Sequence, residues 1–260
     1  MNSSSVPDPA DPADPAAPAR VGEQLRTLGP YFAAESHDPD AGPPRAPWRP
    51  MGELLDDASV LAERVEAVRG YLAAAGGVPT ESIELRVAAS VAQLGLAART
   101  LSPLFALAVL GQELPAPSPL SLRDLRWQPQ PVVSSMFAFS IPGLDHVRPS
   151  QDSHHQNIEL LADELCEITR PFGVSAHILW GNVASALNGA RVALSAANPQ
   201  LAHRAQAELT RLLSRTPLAG TSRTTPGGRF QRRNCCLIYR AAPDRRGPVC
   251  GDCILAGRRA

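Results

Sequence analysis

Apolar positions recur at steps of three and four along much of this chain. From Met51 onward, Leu54, Ala58, Leu61, Val65, Val68 and Leu72 make one stripe, which predicts an amphipathic helix halted by "AAAGGVP". In "TESIELRVAASVAQLGLAARTLSPLFALAVLG" the apolar residues cover more than one face. That predicts a helix central to the core, capped by Thr80 or Ser82 and broken or kinked at Pro103. "LSLRDLRWQPQPVVSSMFAFSIPG" changes character: Leu122, Leu125 and Trp127, then Val132, Val133, Phe137 and Phe139, predict two short strands around a proline-containing turn. Helical spacing returns at Ile158, Leu161, Leu165, Ile168 and Phe172. "VSAHILWGNVASALNGARVALSA" reads as helical, with a possible interruption at Gly181-Asn182, where Asn182 would cap a second helix. "PQLAHRAQAELTRLLSRTPLAG" predicts a further amphipathic helix, opened by Pro199 and closed by Gly220. "TSRTTPGGRF" then reads as a polar linker. The expected fold class is α+β, mostly helical with a small antiparallel sheet and a C-terminal cysteine-rich segment.

Composition adds boundaries. Residues 1–19, "MNSSSVPDPADPADPAAPA", offer almost nothing apolar to bury and predict a disordered tail with polyproline-II character. "HDPDAGPPRAPWRP" is a second irregular stretch, expected to lie on the surface and be anchored by Trp48. The division is therefore a tail at 1–19, a mainly helical domain at 20–220 and a cysteine-bearing segment at 221–260. Formal net charge is zero, which gives no overall attraction to nucleic acid. All 25 basic residues are arginine, and they are unevenly placed: from Thr221 to Ala260 nine arginines face two aspartates. No secretory signal is visible, and the longest apolar run, around Leu101–Leu110, is too short to span a bilayer. The expectation is a cytoplasmic protein without a transmembrane segment.

Four of the five cysteines fall in "NCCLIYRAAPDRRGPVCGDC". In a reducing compartment such a cluster suggests metal ligands or redox thiols. Cys250-Gly251-Asp252-Cys253 is a C-x-x-C pair whose glycine permits a tight turn. Cys235 and Cys236 are adjacent, and both side chains reach one centre only if the backbone bends there. This geometry leaves three readings open: a two-iron cluster, a zinc ion and redox thiols. A two-iron cluster on four thiolates is a dianion when oxidised and gains another negative charge on reduction. Arg232, Arg233, Arg240, Arg245 and Arg246 around the cysteines would favour the reduced form.

"RRNCCLIYRAAPDRRGPVCGDCIL" resembles the C-terminal signature of the FhuF-type ferric-siderophore reductases. "HILWGNVASALNGA", from His177 to Ala190, is similar to a second stretch of that family, and "RVAASVAQLGLAARTLSPLFALAVLGQELP" to a weaker third. The similarity covers roughly residues 175–255 and is plausible from Arg86 onward. The loop between Cys236 and Cys250 is longer here than the family's usual spacing. The resemblance implies a [2Fe–2S] cluster on Cys235, Cys236, Cys250 and Cys253. It also implies one-electron reduction of a ferric siderophore, most simply of hydroxamate type, in the cytoplasm, with release of ferrous iron. No dinucleotide or phosphate-binding glycine motif is present, so the expected donor is a protein such as a ferredoxin. Alternatives are a zinc-stabilised interaction module and a non-enzymatic iron–sulfur carrier or sensor.

Other residues read as structural first. Cys166 beside Leu165 is expected to be a core thiol. His154 and His155 lie in a polar run, and adjacent histidines usually face apart, so neither is expected to bind metal. His177 and Asn182 are expected in helix packing, with Asn182 and Trp180 also candidates to face substrate or cluster. Arg86 should pair with an acid or reach the surface.

Overall fold

In the computed structural model, residues 21–115, 119–129, 137–150, 155–244, 246, 247 and 249–256 are described. The tail 1–19, Val132, Val133, His154 and Arg245 lie outside these residues. In chain order the elements are α1 (Val21–Thr27), β1 (Glu35–His37), β2 (Arg49–Pro50), α2 (Glu53–Asp56), α3 (Ala58–Gly76), α4 (Leu85–Leu110) and β3 (Gln112–Glu113). They continue with β4 (Arg126–Gln128), β5 (Ala138–Pro142), β6 (Arg148–Pro149), α5 (His155–Thr169), α6 (Ala176–Ala197), α7 (Ala202–Leu213), β7 (Ser222–Thr224) and β8 (Phe230–Arg232). The fold is α+β and about 56% helical.

Helix α4 is the hub. It packs on α3, α5, α6 and α7, and its most extensive contact is with α6. Leu96, Ala97, Leu101, Leu104, Phe105, Ala106 and Leu107 are fully buried. Alanines on α4 and α6 let the two axes approach closely, since small side chains fill the interface without holding the helices apart. The helix has 26 residues, and its most apolar stretch has a mean hydropathy of 1.4. By length and composition it could cross a membrane, although the apolar run at 101–110 alone is too short. In this fold 72% of that stretch is buried inside the protein.

Several local expectations are corrected. The chain runs helically through Pro103 without a break. A proline removes one intrahelical hydrogen bond, and here packing on several sides of α4 outweighs that loss. Neither Thr80 nor Ser82 caps α4: Glu84 stands at the cap position and makes no capping bond, its carboxylate pairing instead with Arg86 and Arg240. Helix α6 continues through Gly181-Asn182, because Asn182 turns its side chain to another helix rather than to a cap. The stripe beginning at Leu54 is split at Asp57, whose extended backbone and side chain, accepting from the Ser59 amide at 2.9 Å, start α3. Helix α7 stops at Leu213, well before Gly220.

The expected strand pair is present: β4 and β5 are antiparallel, with Trp127 opposite Phe139. They form the middle of a four-stranded sheet ordered β1-β5-β4-β2, in which β1 joins β5 in parallel. Trp127, Phe137 and Phe139 meet edge to face behind it. The Arg99 guanidinium, buried on α4, stacks near Phe137 and Phe139 and donates to the carbonyls of Phe137, Tyr31 and Ala33. This clamp fixes the N-terminal segment and the sheet to the hub. β3 pairs with β6. Trp48 is half-buried beside β2.

His37, at the end of β1, bonds through Nδ1 to the Ser140 hydroxyl at 2.7 Å. Burial, helped by the Arg126 charge, lowers its pKa from 6.5 to about 4. The unfolded chain therefore binds a proton between pH 6.5 and 4 that the folded chain does not, and stability falls as pH drops through that window. With half of the ring near solvent, the effect should be no more than about 1 kcal/mol. Urea melts at pH 7 and pH 4.5 should show a smaller acid-induced loss for His37→Gln than for the natural chain. A second check is Asp57→Ala, which should cost about 1 kcal/mol at neutral pH through loss of the α3 cap.

Candidate metal centre

The segment read as a linker is a hairpin. β7 and β8 pair antiparallel, Ser222 opposite Arg232 and Thr224 opposite Phe230. Gly228, with φ of +76°, supplies the left-handed residue of its turn. The hairpin leads the chain into Asn234 and the cysteines.

Adjacent Cys235 and Cys236 do meet the later pair. Cys236 Sγ lies 3.7 Å from Cys250 Sγ, and Cys253 Sγ lies 3.8 Å from Cys235 Sγ. Leu237, directly after the pair, is the one non-glycine residue with positive φ (70°) among those described. That conformation costs a branched side chain about 1 kcal/mol. The Leu237 amide donates to Cys235 Sγ and the Leu255 amide to Cys253 Sγ, both at 3.3 Å. Cys236 and Cys253 are buried, Cys235 and Cys250 half-buried. Hydrogen bonds from Cys235 and then Cys250, with the Arg232 charge close by, hold the Cys236 thiol far below its usual pKa. The same bonds to Cys236, together with burial, push Cys235 and Cys250 up. Among the described residues no three His, Cys, Asp or Glu side chains converge as a single-ion site. Besides the Cys236–Cys250 and Cys235–Cys253 contacts, Cys235 also hydrogen-bonds to Cys236, so the four thiols form one connected group.

The arginines separate by placement. Arg232 is fully buried, and its Nε and Nη2 donate to Asn234 Oδ1 at 3.1 and 2.6 Å. Its Nη1 has no hydrogen-bond partner, and among the described residues no carboxylate forms an ion pair with it. Arg233, next along the strand, points the other way, is exposed and donates to the Ser222 carbonyl. Arg240 pairs with Glu84 at 2.5 Å. Arg246 is exposed. Of the described arginines expected to influence a cluster, Arg232 alone combines full burial with no carboxylate ion pair among the described residues.

Helix α6 is the platform. Asn234 Nδ2 donates to the His177 carbonyl at 2.6 Å, and its amide lies across Gly181, where a Cβ would sit 2.2 Å from Oδ1. Asn182, fully buried, donates through Nδ2 to the Ser90 carbonyl and hydroxyl, and Ser90 Oγ donates to the Cys236 carbonyl at 2.9 Å. Asp252, inside the C-x-x-C turn, accepts from Ser185 Oγ at 2.5 Å and Asn188 Nδ2 at 3.3 Å. Its carbonyl accepts from the Arg232 amide. Gly181, Asn182, Ser185 and Asn188 thus form one small and polar face of an otherwise apolar helix. Asn234, Asp252, Ser90, Ser185 and Asn188 were not singled out from the sequence. The signal was there, since polar residues at 182, 185 and 188 recur every three positions inside a buried helix.

The other candidates lie elsewhere or have structural partners. Trp180 is half-buried and packs on the core. His177 contributes its carbonyl, and its side chain is exposed. Cys166 sits in the core near Gln93, and burial raises its thiol pKa to about 12. His155 is buried at the start of α5, its Nε2 2.8 Å from Glu208 Oε1. An apolar groove of about 300 Å³ opens between α4 and α6 and shares Ser185 with the cysteine site. A second cleft of about 280 Å³, by His37 and Arg126, is formed by other residues.

The donor set fits a two-iron, four-thiolate group: four thiols brought together would supply two ligands to each iron, and the buried guanidinium would compensate the anionic charge. No family model, curated protein or solved structure matches this chain.

Gly181→Ala should force Asn234 off α6. The expected result is a loss on the order of 2–3 kcal/mol in chemical melts and a loosened cysteine segment in hydrogen exchange. Gly189→Ala, on the same helix with nothing within 4 Å of the new Cβ, should be neutral or stabilising by up to about 1 kcal/mol.

Proposed function

We propose that the chain is a cytoplasmic iron–sulfur ferric-siderophore reductase. Cys235 and Cys253 would hold one iron of a [2Fe–2S] cluster, and Cys236 and Cys250 the other. The observation that carries this reading is the gathering of the four thiols, with Sγ separations of 3.7 Å for Cys236–Cys250 and 3.8 Å for Cys253–Cys235, beside a buried arginine that forms no carboxylate ion pair among the described residues. Four thiolates on one zinc ion at about 2.3 Å would also stand about 3.8 Å apart, so iron and sulfide analysis separates the two metals. The choice of a ferric siderophore rests on the motif resemblance.

When bound, the cluster would supply one-electron chemistry. Reduction releases the metal because hard oxygen donors hold ferric iron far more tightly than ferrous iron. No proton-transfer residue is required for that electron step, so the protein's task is to hold the thiols, limit water and set the potential. Ser90 and Asn182 fix the turn after Cys236, and Asp252 fixes the second cysteine turn to α6. Arg232 would stabilise the more negative reduced state. The groove beside Ser185 offers apolar surface to the aliphatic arms of a hydroxamate siderophore. The donor would be a protein such as a ferredoxin.

Anaerobic purification with iron and sulfide analysis, followed by stopped-flow mixing of the reduced protein with ferric trihydroxamates, tests this function. A red-brown protein oxidised by the ferric chelate is expected. A colourless zinc protein would overturn the cluster, and a coloured protein inert to ferric chelates would leave only a carrier or sensor. Serine at any of the four cysteines should weaken or abolish the visible absorption, whereas Cys166→Ser should retain it. Arg232→Gln should lower the reduction potential by on the order of tens of millivolts in a redox titration.

A further inference from the structure

The charges around the cysteine segment face two ways. Its internal carboxylate, Asp252, is turned inward to Ser185 and Asn188 of α6. Its outer side is covered by cations. Arg229 is exposed and donates through Nη2 to the Gly251 carbonyl at 3.3 Å, at the tip of the C-x-x-C turn. Arg223, also exposed, donates through Nε and Nη2 to Gln231 Oε1 at 3.0 and 2.8 Å. Gln231 in turn donates to the Cys253 carbonyl at 3.3 Å. Exposed Arg233 is held by the Ser222 carbonyl on the same hairpin. Among the described residues none of these three arginines forms an ion pair with a carboxylate, in contrast to Arg49, Arg123, Arg211 and Arg215 elsewhere on the surface.

We propose that the β7–β8 hairpin and the Gly251 tip form the docking surface for an acidic protein that delivers the electron. This rests on the reductase reading and specifies its donor side. Hydrogen bonds to carbonyls position the three guanidiniums without neutralising them, so the patch keeps its field for a partner. The patch is spread along an exposed hairpin, and none of the three arginines lines either cavity described above. An open basic surface suits a broad acidic protein face better than a small chelate, which needs enclosure. The exposed Gly251 tip lies next to half-buried Cys250, which makes it the short route from the surface to the thiols. Substrate would then use the groove at Ser185, and the two partners need not compete.

The test compares the natural holoprotein with Arg223→Gln/Arg229→Gln. Two donors are used: a reduced acidic [2Fe–2S] ferredoxin, and photogenerated lumiflavin semiquinone, a small neutral one-electron donor. Binding of oxidised ferredoxin is measured in parallel by calorimetry, and iron and sulfide content confirms equal loading. At low salt the variant should accept electrons from ferredoxin about tenfold more slowly and bind it correspondingly more weakly, the difference closing at high salt. Rates with lumiflavin semiquinone should match. Arg223→Glu/Arg229→Glu should deepen the ferredoxin defect. Equal ferredoxin rates and affinities at low salt would overturn the proposal. So would unchanged donor kinetics with slowed oxidation by a ferric trihydroxamate, which would make the patch a substrate site. Absence of a cluster would defeat the reductase reading, while the binding comparison would still decide whether this surface takes an acidic protein.

Discussion

A guanidinium removed from water, with no carboxylate ion pair among the described residues, is the constraint around which the C-terminal third is arranged. Burying such a charge unpaired costs several kcal/mol. Arg232 bears that cost with one amide oxygen, that of Asn234, and one carbonyl, that of Ile178. Asn234 can serve only because Gly181 leaves room for it on α6. Removing any one member of the set Gly181, Asn234 and Arg232 leaves the others wrongly placed. A dianionic group on the neighbouring thiols would supply a countercharge that the described residues do not, which is why Arg232 and the cysteines are best understood together.

The helices act as a rigid mount. Close packing of α4 on α6 puts Ser90 beside Asn182, and Ser90, held by Asn182, donates to the Cys236 carbonyl. Farther along α6, Ser185 and Asn188 hold Asp252. Both cysteine turns are therefore fixed to α6, the first through Ser90 of α4 as well, although a long loop separates them in sequence. Such support matters for electron transfer, which asks a protein for position and potential rather than for acids and bases. The strained Leu237 fits the same pattern, since a left-handed leucine persists only where surrounding contacts over-determine it.

The sides of the site carry different charge. Inward, polar contacts are neutral or use Asp252; outward, arginines on the hairpin stay unneutralised. Arg240 belongs to neither set, because Glu84 absorbs its charge where α4 begins. Clustered basic residues in a sequence thus resolve into three jobs: a buried compensator, a structural ion pair and a solvent-facing patch.

Much of this was legible along the chain. Apolar steps of three and four marked α3 and α5, because burial of one face leaves a periodic trace, and apolar residues on more than one face marked α4 as central. Trp127 and Phe139 marked the paired strands, because alternation is the trace of a half-buried sheet. The cysteine pattern singled out the thiols that the fold brings together. What local pattern could not convey were events set by distant neighbours. Pro103 stays in a helix because packing around α4 outweighs one lost hydrogen bond. Gly181-Asn182 looks like a break but is a contact surface for Asn234 and Ser90, which lie far away in sequence. "TSRTTPGGRF" looks like a linker, yet its strands pair with each other and seat Arg232. Periodicity records how much of each segment is buried; which polar groups meet, and which charge is left without a partner, depends on segments brought together only when the chain folds.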